Sequence, residues 1–172
     1  MTAETPKTKG STRPPWWRGT RGEWYVIAQV VLMAVVFLGP RNLPGWPVWS
    51  APFDHIAMTL GAVLILAGGC LFLAGIFRLG PGLTPLPHPK DDAPLVQTGP
   101  YGIVRHPIYA GGIMLAFGWA FLVQGLLTLL YAAVILIFLD IKSAREERWL
   151  VEKYPDYPEY RKRVKKLIPF IH

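Results

Sequence analysis

Apolar residues in this chain fall into three long blocks separated by polar, proline-rich segments. The blocks cover residues 24–39, 56–77 and 107–139. At about 1.5 Å per helical residue, the second block reaches roughly 33 Å and the first roughly 24 Å. A hydrocarbon core is about 30 Å thick, so the second block is a comfortable membrane span and the first is slightly short.

The third block is too long for one straight span, because a single helix of that length would reach about 50 Å. It contains no charged residue and is interrupted by Gln124-Gly125. We therefore predict a tight helical hairpin with arms at residues 107–123 and 126–141. The expected fold is all-α and polytopic, with about four transmembrane helices.

Basic residues are distributed unevenly between these blocks. Of the 18 Lys and Arg residues, five precede the first block, nine follow residue 139 and three lie between residues 78 and 106. The first loop carries only Arg41, and the hairpin turn carries none. The positive-inside rule then predicts that both termini and the 78–106 loop are cytoplasmic. This pattern accounts for the net charge of +7 without nucleic acid.

One membrane-embedded domain is expected over residues 24–172, after a basic segment at residues 1–23 that lacks the apolar region of a signal peptide. Cys70 is the only cysteine, which excludes an intrachain disulfide and a cysteine-rich metal site, and no metal is expected. We expect Cys70 to be buried as a small apolar residue. Small residues in the second and third spans should let helices pack closely; they are Gly61, Gly68, Gly69, Ala74, Gly75, Gly111, Gly112 and Ala116.

Polar residues concentrate in two segments, 95–112 and 142–171, which adjoin the ends of the hairpin helices. The hairpin should bring them together at the cytoplasmic side. The proline-dense segment 79–94 is either a passive linker or a loop that covers a site there. Tyrosines and the basic run 161–166 in the tail predict a solvated, lipid-facing interfacial segment.

Arg105 and His106 precede Pro107, a residue that suits the first turn of a helix. Such a helix start, with two basic side chains, suits a carboxylate like that of S-adenosylmethionine. Alternatively, Arg105 extends to lipid phosphate and His106 only caps the helix. Glu146 and Glu147 leave a similar choice: hydrogen bonds to the cofactor, or a surface pair with Lys142 four residues away.

Together, GPYGIVRHPIYAGG, an apolar hairpin and EERWL followed by IPF resemble the isoprenylcysteine carboxyl methyltransferase family. Its relatives include bacterial phospholipid and thiol methyltransferases. The resemblance covers residues 79–170 and implies S-adenosylmethionine as cofactor, in a cytoplasmic pocket. The chain departs from the family at Tyr154-Pro155, where FG is usual.

The resemblance also implies roles for individual residues. Implied cofactor contacts are Leu95, Val96, Tyr101, His106, Pro107, Ile108, Tyr109 and Glu146. Arg105 and Glu147 match motif positions near the reaction centre, and Lys142 or Arg145 is the basic residue that would meet a substrate carboxylate.

The expected function is therefore methyl transfer from S-adenosylmethionine to a lipid-like or isoprenylcysteine-type acceptor, with carboxyl O-methylation favoured. The expected partners are the lipid bilayer and that apolar acceptor. Two alternatives stay open: an NADPH-dependent membrane reductase of the sterol-reductase type, and a non-catalytic membrane subunit.

Overall fold

A computed structural model describes residues 22–47, 49–90 and 92–169, and within them the regular structure is helical. The helices are α1 (Glu23–Leu38), α2 (Phe53–Leu79), α3 (Pro107–Leu122), α4 (Leu126–Lys153) and α5 (Tyr157–Arg163). Short 3-10 turns occupy Gly80–Gly82 and Gly99–Gly102. The predicted basic segment at residues 1–23 lies outside the described residues, except for its last two positions.

The helix boundaries lie within about three residues of the predicted spans except at the end of α4, and the predicted hairpin is confirmed. The chain breaks between α3 and α4 at Gln124, whose φ of 51° ends the helical path. Helix α4 runs past the predicted end at residue 141 to Lys153, because the polar residues that follow are good helix formers. By length and composition, Phe53–Gly82 and Leu126–Lys153 are long and apolar enough to cross a membrane, whereas α1 and α3 are shorter apolar helices.

The segment between α1 and α2 caps the start of α4, the second helix of the hairpin. The backbone N–H of Leu126 donates to Asn42 Oδ1 at 2.8 Å, and that of Leu127 donates to the Arg41 carbonyl at 3.0 Å. These bonds satisfy N–H groups that the start of a helix leaves without partners. A Cβ on Gly125 would lie 2.9 Å from the same Arg41 carbonyl, so the turn requires glycine.

Close packing of α2 against α3 depends on glycines that recur every seven residues. Gly61, Gly68 and Gly75 share one face of α2, as a seven-residue spacing requires. An added Cβ at Gly61 would lie 2.8 Å from the Gly118 carbonyl, and one at Gly111 only 2.6 Å from the Gly68 carbonyl. The prediction of close packing is confirmed for these positions.

Other small residues do not serve this contact. A Cβ at Gly69 or Gly112 would meet nothing within 4 Å, and Ala74 is exposed. The expectation that Cys70 is buried is wrong, because its side chain lies on the exposed face of α2. An apolar run alone does not distinguish a lipid-facing position from a core position.

The C-terminal tail is fastened to the start of α3. The N–H groups of Arg105 and His106 donate to the carbonyls of Lys165 and Lys166 at 2.8 and 3.1 Å. Tyr157 and Tyr160 are buried, so the prediction of an interfacial tail is wrong for these two tyrosines.

The basic run of the tail largely agrees with the prediction. The side chains of Arg161, Lys162, Arg163 and Lys165 are exposed. The exception is Lys166, whose ammonium pairs with Asp140 at 2.5 Å.

We expect Gly111→Ala to destabilise the protein by about 1–3 kcal/mol, because overpacking forces the α2 backbone to move. Gly112→Ala is the matched control: it adds a methyl group to the next residue, where there is space, and should leave stability unchanged or slightly raised. Thermal unfolding of the two purified variants in detergent measures the difference. Equal melting temperatures for both variants would contradict the close α2–α3 contact.

Candidate functional site

A cavity lies beside the start of α3 and the C-terminal half of α4. Its volume of about 390 Å³ is typical of small-molecule sites. One wall is apolar and comes from α1 and α2, with Val30, Phe72 and Ile76 among its residues. The opposite side carries polar groups from α3, α4 and the tail. The cavity therefore has an apolar side and a polar side.

The paired glutamates have different surroundings. Glu146 lines the cavity, where its Oε2 accepts a hydrogen bond from the Tyr109 hydroxyl at 2.8 Å. Glu147 lies outside it and accepts from Arg105 Nε at 2.8 Å, with His106 Nε2 at 3.2 Å. Neighbours on a helix point about 100° apart, so one residue reaches the cavity and the other does not. The Glu146 side chain retains 24% exposure, which leaves it accessible to a ligand.

Arg105 is buried and its guanidinium is already engaged. Besides Glu147, it donates from Nη1 to the carbonyls of Arg161, at 3.2 Å, and Val164. Its exposure of 9% argues against the alternative that it extends to lipid phosphate. Arg105 borders the cavity while joining α4 to the tail.

His106 is the residue just before α3, but its side chain makes no capping hydrogen bond to the helix. Its ring instead stacks on Tyr109, with ring centroids 5.4 Å apart and planes 4° from parallel. The backbone N–H groups of Ile108 and Tyr109 belong to the first turn and have no partner within the helix. Both residues line the cavity, so this end of α3 is suited to an anionic group.

Lys142 is a buried cation on the cavity wall, with 2% exposure. Its ammonium donates to Gln29 Oε1 at 2.5 Å and to the Pro85 carbonyl at 3.2 Å, and lies 5.1 Å from the centre of the Tyr109 ring. These contacts argue against the alternative of a surface ion pair between Lys142 and Glu146. Arg145 is exposed, with its guanidinium over the Trp149 ring, and the structure does not bring it into the cavity.

The proline-dense segment covers the cavity. Besides the Pro85 carbonyl, the Ala93 carbonyl accepts from the Tyr154 hydroxyl at 2.5 Å, and the Lys90 carbonyl accepts from the Lys153 ammonium. Several of its residues line the cavity. These contacts favour a covering loop over a passive linker.

Most predicted site residues meet at this cavity. Those that line it are Leu95, Val96, Tyr101, Arg105, His106, Ile108, Tyr109, Lys142 and Glu146. Pro107 is instead buried against α2, where a Cβ on Gly75 would lie 3.3 Å from its ring. Glu147 and Arg145 lie outside the cavity lining.

Among the polar lining residues that the sequence interpretation did not assign to the site are Gln29, Tyr157 and Tyr160. Gln29 had a usable signal, because a polar residue inside an apolar block often marks a functional site. The two tyrosines had none, since an exposed interfacial tail has the same composition. Burial raises the pKa of both hydroxyls and of Tyr101, so all three stay protonated at neutral pH.

Residues 56–157, more than half of the chain, match the model of the phospholipid methyltransferase family. The chain belongs to this family. The prediction of a relationship to isoprenylcysteine carboxyl methyltransferases and to bacterial phospholipid and thiol methyltransferases is confirmed.

Similar proteins whose names state an activity differ in their methyl acceptors. Methanethiol S-methyltransferase 1 of Bradyrhizobium diazoefficiens is 33% identical over 85% of this chain and 53% of its own length. Methanethiol S-methyltransferase of Pseudomonas deceptionensis is 33% identical over 90% of this chain and 63% of its own. Protein-S-isoprenylcysteine O-methyltransferase of Schizosaccharomyces pombe is 39% identical over 48% of this chain and 36% of its own. The chain thus spans less than two thirds of each of these relatives.

We expect Arg105→Ala to destabilise the fold by about 3–5 kcal/mol, because it leaves the Glu147 carboxylate buried without its main partner. The control is Lys162→Ala, which breaks an exposed ion pair with Glu159 and should change little. Denaturant unfolding in detergent measures both variants. An Arg105→Ala variant as stable as the control would contradict the structural importance of this pair.

Proposed function

We propose that this chain is an integral-membrane methyltransferase that uses S-adenosylmethionine and methylates an apolar, lipid-like acceptor. Carboxyl O-methylation of an isoprenylcysteine-type molecule is the favoured reaction. The observation that carries the proposal is the position of Glu146, which faces a largely apolar cavity beside the open start of α3.

The polar side of the cavity fits the amino-acid part of this cofactor. That part is a zwitterion, so it needs a hydrogen-bond acceptor next to hydrogen-bond donors. Glu146 supplies the acceptor for the ammonium, and the first-turn N–H groups of α3 supply donors for the carboxylate. The family membership supports the same assignment.

When bound, S-adenosylmethionine supplies a methyl group already activated by its sulfonium. The residues of this chain position the reactants and exclude water. Lys142 offers a buried positive charge that orients an acceptor with a negative nucleophile. The 79–94 loop covers the cavity and limits the access of water, which strengthens electrostatic interactions inside it.

An anionic nucleophile fits Lys142 better than a neutral amine does. A carboxylate needs no general base, because it carries no proton that must leave. A thiol is the second candidate, favoured by the methanethiol S-methyltransferases among the relatives. A thiol acceptor must also lose its proton, and His106, which lines the cavity, is the candidate base for that step.

The apolar exterior supports a multi-pass position in the membrane. Large apolar side chains such as Leu38, Leu66 and Phe77 are between 70% and 85% exposed, which is costly in water. Four spans with both termini in the cytoplasm also agree with the distribution of basic residues. The cavity then lies at the cytoplasmic side, open to the soluble cofactor.

We expect Glu146→Gln to weaken S-adenosylmethionine binding at least about tenfold and to remove most methyl transfer, because the variant loses a charged hydrogen-bond acceptor. Glu152→Gln is the matched control, since this glutamate is an exposed residue of the same helix outside the cavity. Calorimetric titration and a labelled-methyl assay with prenylcysteines, thiols and lipid extracts measure the two effects.

Titration of the native chain with NADPH completes this experiment. Tight NADPH binding without S-adenosylmethionine binding would favour the reductase alternative. Full activity of Glu146→Gln would remove this residue from the site. The acceptor that is methylated fastest among the prenylcysteines, thiols and lipid extracts distinguishes O-methylation from S-methylation.

The proposed orientation, with both termini in the cytoplasm, predicts which introduced cysteines react with a membrane-impermeant maleimide added outside the cell. In a Cys70→Ala background, a cysteine replacing the exposed Ser50 should react in intact cells. One replacing the exposed Glu152 should react only after permeabilisation. Reaction of both, or of Glu152→Cys alone, in intact cells would contradict the proposed orientation.

A further inference from the structure

Five tyrosines line the cavity, and four of their hydroxyls are used within the protein. Tyr109 donates to Glu146 at 2.8 Å and Tyr160 donates to the Tyr101 carbonyl at 2.6 Å. The hydroxyls of Tyr101 and Tyr154 donate to the carbonyls of Gly75, at 3.4 Å, and Ala93, at 2.5 Å. Tyr157 is the exception: its hydroxyl has no hydrogen-bond partner in the described part of the chain.

This hydroxyl is also withdrawn from solvent. Tyr157 is 1% exposed and is among the largest fully buried side chains of the described residues. Its ring packs edge-on against Tyr160, with centroids 5.7 Å apart. A buried polar group without a partner is unfavourable, and native structures rarely keep one without a reason. Because Tyr157 lines the cavity, a bound ligand can provide the missing partner.

Tyr157 packs on Tyr160, whose hydroxyl bonds to the Tyr101 carbonyl, so it lies in the part of the tail that contacts the segment before α3. The charges of Glu147, Arg105 and Glu146 act on its hydroxyl. Burial and the two carboxylates raise its pKa, with Arg105 acting in the opposite direction. Tyr157 is therefore a neutral hydrogen-bond donor at any pH near neutrality.

Two cationic side chains of the lining, Arg105 and Lys142, already make hydrogen bonds within the protein. The Arg105 guanidinium is bonded to Glu147 and to two carbonyls of the tail. The Lys142 ammonium is bonded to Gln29 and to the covering loop. Tyr157 differs from both because its hydroxyl has no hydrogen-bond partner in the described part of the chain. It lines the same cavity as Glu146, which is the acceptor assigned to the ligand's ammonium.

We propose that the Tyr157 hydroxyl donates a hydrogen bond to the carboxylate of the methionine part of S-adenosylmethionine. This proposal rests on the proposed function. It gives the zwitterion one acceptor, Glu146, and one side-chain donor, Tyr157, both in the lining of the cavity. It also assigns the side-chain contact with the carboxylate to Tyr157 rather than to Arg105, whose role is to hold the tail that carries Tyr157.

The test compares two ligands that differ in one group. Purified native chain and Tyr157→Phe are titrated calorimetrically in detergent with S-adenosylmethionine and with its decarboxylated form. We expect Tyr157→Phe to weaken binding of S-adenosylmethionine about tenfold or more, because a hydrogen bond to a charged group is lost. Binding of the decarboxylated form should be unchanged. The control is Tyr154→Phe, which loosens the covering loop and should alter both affinities by the same factor.

A second measurement needs no ligand. Tyr157→Phe removes a hydroxyl that has no partner, so its melting temperature should equal or exceed that of the native chain. Tyr160→Phe removes the bond to the Tyr101 carbonyl and should melt at a lower temperature. A merely structural role for Tyr157 would instead lower the melting temperature of Tyr157→Phe.

Three results overturn the proposal: unchanged S-adenosylmethionine binding by Tyr157→Phe, an equal loss for both ligands, or a lowered melting temperature without ligand. Failure of the proposed function has a separate signature. In that case the native chain itself does not bind S-adenosylmethionine, and this proposal falls with it.

Discussion

The buried ion pair between Arg105 and Glu147 connects the parts of the chain that form the cavity. Arg105 Nε and Glu147 Oε1 are 2.8 Å apart, and both side chains are almost fully buried. Burying two charges is costly unless hydrogen bonds satisfy their remaining atoms. Here His106 Nε2 approaches the same carboxylate, and the carbonyls of Arg161 and Val164 accept from Arg105. The pair thereby joins α3, α4 and the tail at one point.

The cavity depends on that junction for its polar side. The tail carries Tyr157 and Tyr160, and the Tyr160 hydroxyl bonds to the Tyr101 carbonyl just before α3. The His106 ring stacks on the Tyr109 ring, and the Tyr109 hydroxyl donates to Glu146. Helical geometry separates the two glutamates, so that one holds the fold together and its neighbour faces the cavity. An adjacent pair of identical residues thus serves two purposes without competition between them.

Close packing of α2 on α3 sets the apolar side. Because Gly61, Gly68 and Gly75 lie on one face, the α2 backbone approaches α3 and places Phe72 and Ile76 at the cavity. Helix α1 packs against α3 and α4, and its Gln29 reaches Lys142. An apolar wall therefore lies opposite the charged groups, as the proposed apolar acceptor and zwitterionic cofactor require.

The sequence by itself determined the helical blocks, the break at Gln124, the start of α3 at Pro107 and the two motifs that meet at the site. These features depend on local periodicity, on proline and glycine chemistry and on short spacings. Only the tertiary structure decided which side chains bond to each glutamate, that Cys70 is exposed, that Lys142 bonds to Gln29 and that Tyr157 is buried with a free hydroxyl. Each of these depends on the packing of segments distant in sequence, and an apolar or aromatic residue has the same local pattern whether it faces lipid, core or cavity.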